Sequence, residues 1–184
     1  PFKFDFRITF TLNGKSLKVS HHIINLDEKP IYFSLGGHPA FNIQLFENEK
    51  IEDYSLEFDQ KMHLDTYILN EDGLVSSKTE KILNDENKIQ LTDHIFDNDA
   101  LIFKDISSKK VNLFSEKNGK ILSVEFKDFK NLGVWAKPGA PYVCIEPWLG
   151  IADVEGTDQN LKNKEGIIEL QASKEFNAAY TISI

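Results

Sequence analysis

Apolar residues occupy every second position over long stretches of this chain, and that period restricts them to half-buried β-strands. In PFKFDFRITFTL, residues 1–12, the side chains of Phe2, Phe4, Phe6, Ile8 and Phe10 share one face, while Lys3, Asp5 and Arg7 share the other. Asn13-Gly14, a strong hairpin signal, leads into KSLKVSHHIINL, where Leu17, Val19, His21 and Ile23 point one way. A second pair, Asn118-Gly119, joins KKVNLFSEK to KILSVEFKDF. Further strands are expected in PIYFSL, YSLEFD, HLDTYIL, DALIFKD, NLGVWAK, PYVCIEPW, GIIELQ and FNAAYTISI. Only TDHIFDND reads as a short helical turn, with Thr92 or Asp93 as its cap. The polar stretches QLFENEKIED, SSKTEKILNDEN and VEGTDQNLKNKEG read as surface loops. No repeat and no Ser/Gly or Pro-rich linker divides the chain. Residues 1–184 are therefore expected to form one all-β unit, an antiparallel β-sandwich or barrel.

Composition narrows the partners. The 14 Phe reinforce the strand reading, since aromatic residues favour pleated, half-buried surfaces. The net charge is −8 and Arg7 is the only arginine, so the basic stripe that a nucleic-acid backbone requires is missing. Arginine forks for a phosphorylated ligand are equally scarce. No apolar run approaches the ~20 residues of a membrane-spanning helix, and no membrane partner is expected. The single Cys144 rules out an internal disulfide and a cage of several cysteines, and it suits a reducing compartment such as the cytoplasm.

Two stretches carry candidate chemistry. FSLGGHPAFN, residues 33–42, sets Gly36 and Gly37 before His38 and stiffens the chain after it with Pro39. Glycine serves where φ is positive or where another group comes close to the backbone, and proline restricts the residue before it. In KPGAPYVCIEPWLGIAD, residues 137–153, an apolar strand runs into Glu146, flanked by Pro147 and Trp148. A carboxylate at the end of an apolar strand is ion-paired, exposed or functional. Trp148 offers an aromatic rim of the kind on which sugar rings stack; Trp135 and Tyr142 fit either the core or such a rim. Among the other histidines, His21 and His22 fall on opposite faces of one strand and read as structural, and His63 and His94 as solvated. No two histidines have zinc-site spacing, so no metal is expected.

Taken together, FSLGGHPAFN and PYVCIEPWLGIAD resemble the aldose 1-epimerase (galactose mutarotase-like) family, and in particular its LacX-type branch. DALIFKD and the ending EGIIELQASKEFNAAYTISI are similar to that branch as well. The resemblance implies a large antiparallel β-supersandwich and interconversion of the α and β anomers of free aldoses. It places the histidine of the family's second histidine motif on His38 and the family's C-terminal glutamate on Glu146. A substrate-holding aspartate would fall on Asp99 in FDNDALIF, with Asp97 two residues away. The family's earlier histidine and arginine, which grip the sugar, have no match here. The chain thus looks like the C-terminal two-thirds, with roughly 100 further residues expected before Pro1. An unpaired edge or an exposed apolar face is then expected on residues 2–12.

Anomer exchange removes a proton from O1 and delivers one to the ring oxygen O5. A glutamate with a reference pKa of about 4.3 and a histidine of about 6.5 supply an ionised base and a protonated acid at one pH. Glu146 is assigned base and His38 acid for ring opening, with the roles reversed for closure. No metal, nucleotide or covalent intermediate is required, and the expected partner is a small aldose. Two alternatives stand beside this reading. One is a carbohydrate-binding sandwich without turnover; the other is a hexose-6-phosphate 1-epimerase of the same superfamily.

Overall fold

Strands account for most of the chain, which a computed structural model describes over Pro1–Ile184. In order they are β1 (Phe4–Asn13), β2 (Ser16–Asn25), β3 (Ile31–Phe33), β4 (Ala40–Asn42), β5 (Tyr54–Leu69), β6 (Val75–Gln90) and β7 (Leu101–Phe103). They continue as β8 (Lys110–Ser115), β9 (Gly119–Glu125), β10 (Asn131–Trp135), β11 (Tyr142–Trp148), β12 (Ile168–Leu170) and β13 (Glu175–Ser183). Helix is limited to single 3-10 turns at Ile51–Asp53 and Leu161–Asn163. No helix is long and apolar enough to cross a membrane.

The strands form one curled antiparallel sheet in the order β1-β2-β13-β9-β8-β5-β7-β10-β11-β4, with β6 on the side of β5 and β12 paired to β3 in a second, small sheet. Alternation explains the core. In β8 the inward residues Val111 and Leu113 are fully buried, as is Val124 of β9 opposite Val111. Tyr54, Phe103, Phe126 and Phe129 complete the same cluster. Each such side chain removed from water contributes roughly 1.5–3 kcal/mol, which outweighs the weak strand propensity of the polar residues between them.

Several expectations change on contact with the fold. YSLEFD and HLDTYIL are one strand, β5, whose register slips between Glu57 and Met62 and three more times by Leu69. These bulges break the period of two that sequence reading depends on. SSKTEKILNDEN is not a loop but most of β6, whose only partner among the strands is β5 and which is largely exposed, so polar side chains cost it nothing. The TDHIFDND segment forms three successive i to i+3 turns rather than a helix. Asn118-Gly119 is not a two-residue turn either: residues 116–118 form the loop, and Gly119 begins β9 with φ +76°.

Strand β1 pairs only with β2 and nothing covers its apolar face. Phe4, Phe6, Ile8, Phe10 and Leu12 are all between 42% and 76% exposed. On β2 the faces divide as read: His21 is buried beside Phe6, Phe129 and Tyr180, whereas His22 faces outward and meets Glu175 at 2.8 Å. His63 and His94 are exposed and held by Asn84 and Asp97.

Candidate active site

The two motifs meet because the segment before β4 continues along β11. Within the sheet, Ala40 lies opposite Cys144 and Asn42 opposite Tyr142. Beyond β4 the same register persists: Gly36 bridges Trp148, Gly37 N–H donates to the Pro147 carbonyl, and Ile145 N–H donates to the Pro39 carbonyl. His38 is thereby set directly across from Glu146. On the other side of β11, Gly133 of β10 lies opposite Glu146, and Ile102 of β7 lies opposite Gly133. Cys144, Glu146 and Trp148 alternate onto one face of β11; Glu146 and Trp148 line the site, and Cys144 is buried next to Glu146 on that face.

Neither Gly36 nor Gly37 has a positive φ. Their purpose is close approach. A Cβ on Gly36 would come within 2.7 Å of Trp148 Cδ1, and one on Gly37 within 2.7 Å of the Tyr180 ring. Gly133 does the same from the opposite side, where a Cβ would lie 2.3 Å from Trp148 Cζ2. The indole is therefore wedged between two glycines, which fixes its orientation. Its Nε1–H donates to Glu146 Oε2 at 3.2 Å.

Glu146 is 5% exposed, whereas the His38 side chain is 64% exposed at the mouth of the site. His38 Nδ1 lies 3.2 Å from Glu146 Oε1, an ion pair whenever the imidazole is protonated. Trp135 meets the His38 ring edge-on at 6.5 Å. Burial pushes the Glu146 carboxyl above its ordinary range, while the charge of His38 and the Trp148 hydrogen bond pull in the other direction. Burial, with Glu146 nearby, pushes the Cys144 thiol up to about 11. A carboxyl poised in this way accepts a proton more readily than an exposed one, which suits a general base.

Above these residues opens a cavity of about 430 Å³, lined by Ser34, His38, Glu146, Trp148 and Ala152 among others. That volume lies within the range of small-molecule sites. No lysine or arginine lines it. The structure thus gathers His38, Glu146 and Trp148 into one cleft. It does not bring Asp99 there. Asp99 is exposed in the turn before β7 with φ +79°, its carboxylate accepts from Ala100 N–H at 2.7 Å, and it lines a separate cavity of about 150 Å³ with His94 and Glu80. Gly133 and Cys144 lie next to the site residues but carry no sequence signal for it, because only the pairing of β10, β11 and β4 puts them there.

Comparison with known proteins agrees with this fold. A family model described as aldose 1-epimerase matches residues 1–166. The plasmid-encoded protein LacX of Lactococcus lactis subsp. lactis is 33% identical over 187 residues. That match covers 100% of this chain and 62% of the relative, so the chain spans under two-thirds of the relative's length. Among solved structures, a galactose mutarotase related enzyme from Lactobacillus acidophilus superposes with a TM-score of 0.91 at 31% identity, covering 100% of this chain and 62% of the other. A galactose mutarotase-like protein from Lactobacillus casei gives 0.88 at 26% identity, covering 100% and 64%. The paired histidine and glutamate motifs, the curled antiparallel sheet that aligns them and the family match over residues 1–166 lead to one conclusion: the chain belongs to the aldose 1-epimerase family.

Proposed function

We propose that the protein interconverts the α and β anomers of a free aldose, with Glu146 and His38 as the proton-transfer pair. The observation that carries this reading is their 3.2 Å approach on the floor of a cavity large enough for a pyranose. In a hemiacetal O1 and O5 are bonded to the same carbon, so a base and an acid side by side reach both at once. Glu146 takes the O1 proton while His38 protonates O5, and the C1–O5 bond breaks to give the open aldehyde. Rotation about C1–C2 presents the other face of the aldehyde. O5 then attacks C1, His38 takes back the O5 proton and Glu146 returns its proton to O1. Every atom of the sugar is conserved, and both residues end as they began.

The absence of lysine and arginine from the cavity lining favours a free sugar over a 6-phosphate. Polarimetry tests both points. Full-length protein added to freshly dissolved α-galactose or α-glucose should speed the drift of optical rotation to equilibrium, and the 6-phosphates should respond far less. An unchanged drift with sugar nevertheless bound would instead support a carbohydrate-binding sandwich without turnover.

Trp148 enters the proposal as a positioning residue. Its indole N–H favours the ionised carboxylate, so Trp148→Phe should let the Glu146 pKa rise further. The acid limb of the rate profile should then move to higher pH. A tryptophan that only fills space would lower thermal stability and leave that limb in place.

A further inference from the structure

Three different donor types converge at the base of the cleft, His38 and Glu146 in its lining and Cys144 buried behind them. One ligand atom each from His38, Cys144 and Glu146 lies within 4.8 Å of the other two. Imidazole, thiolate and carboxylate together suit a borderline divalent ion of the Zn²⁺ class, which accepts nitrogen, sulfur and oxygen ligands in a tetrahedron. The spacing fits as well as the chemistry. Nitrogen and oxygen ligands each ~2.0–2.2 Å from a tetrahedral zinc sit about 3.3 Å apart, and His38 Nδ1 and Glu146 Oε1 are separated by 3.2 Å. The thiol closes the third corner after a shift on the order of 1 Å, given a Zn–S bond of ~2.3 Å. His38 is the partner free to move, being exposed on the cleft side, while β11 holds Cys144 and Glu146 two residues apart on one face. His38 and Glu146 line the open cavity, so water or a sugar hydroxyl is at hand as a fourth ligand.

We propose that His38, Cys144 and Glu146 form a binding site for a single Zn²⁺-class cation, which silences the cleft by taking both proton-transfer groups as ligands. Binding releases the thiol proton, and the His38 proton where the imidazole carries one, to solvent and involves no change of oxidation state. The silencing half of the proposal rests on the anomer-exchange reading, whereas the binding half does not.

Co²⁺ titration of metal-free, full-length protein tests the binding. One equivalent should produce a thiolate-to-cobalt charge-transfer band with the intense visible absorption of tetrahedral cobalt, and Zn²⁺ should abolish both. Cys144→Ala should remove the charge-transfer band and weaken Zn²⁺ at least ~100-fold, beyond the 10–100-fold typical of outer-sphere partners. The surface pairs His22–Glu175 and His94–Asp97 contain no sulfur and cannot generate that band. Absence of the band from the wild-type protein, or its survival in Cys144→Ala, overturns the site whatever the variant does to folding. In the activity arm, Zn²⁺ should stop mutarotation and a chelator should restore it. Metal-free protein that never turns over refutes the anomer-exchange reading and leaves the metal site to be judged on the spectrum alone.

Discussion

Glu146→Gln should slow anomer exchange by about 10²–10⁴-fold, the usual contribution of a positioned general base, and should do so without weakening the fold. Glutamine keeps the shape and can still accept from Trp148 Nε1–H, so the wedge between Gly36 and Gly133 survives. What it removes is a buried charge. Burial raises the Glu146 pKa in the folded protein above the ordinary glutamate value of about 4.3. Between those two values the folded state binds more protons than the unfolded state, so this group's contribution to stability falls as pH rises through that window. At neutral pH the ionised Glu146 is therefore a cost to the fold, and the variant should melt no more than about 1 kcal/mol below the parent, or above it. Polarimetry and thermal denaturation at matched pH measure the two effects. If Glu146 served only as an ion-pair partner of His38, neutralising it would lower the melting temperature and leave the rate intact. That result would remove Glu146 from the chemistry.

The same residues show which features of the site a sequence reader can see. The period of two exposed β1, β2 and β13 because their alternation is unbroken and one face of β2 and β13 is packed, and it exposed β8 and β9 despite a register shift at Leu113–Phe114. It failed on β5 and β6, where bulges shift the register and an outer strand needs no apolar face. His38 and Glu146 were legible because each sits in a local motif with constrained neighbours. That they face one another follows from pairing between residues 36–42 and β11, a long-range register that no local pattern encodes. Gly133 and Cys144 were invisible for the same reason. The glycines of FSLGGHPAFN had two explanations available, positive φ and close approach, and only the packing of Trp148 and Tyr180 decides for the second. Asp99 has a left-handed backbone and a hydrogen bond to its own neighbour, and it lines a different cavity, a placement that the local motif does not encode.

His38→Asn should slow turnover by a similar ~10²–10⁴-fold, because asparagine cannot protonate O5 or take that proton back. Stability should be nearly untouched: the side chain is 64% exposed, and the hydrogen bonds that hold its backbone come from Gly37 and Pro39. The more discriminating result is the double variant. Groups that act on one proton-transfer event lose their value together, so Glu146→Gln with His38→Asn should cost little more than the worse single change. Independent roles predict the product of the two losses, as much as ~10⁴–10⁸ if each factor is ~10²–10⁴. A rate ratio near that product would show that the two residues serve separate steps, and the concerted exchange between O1 and O5 would have to be abandoned. Near-complete overlap of the two losses ties the 3.2 Å contact to the reaction, because distant residues with no shared partner combine additively.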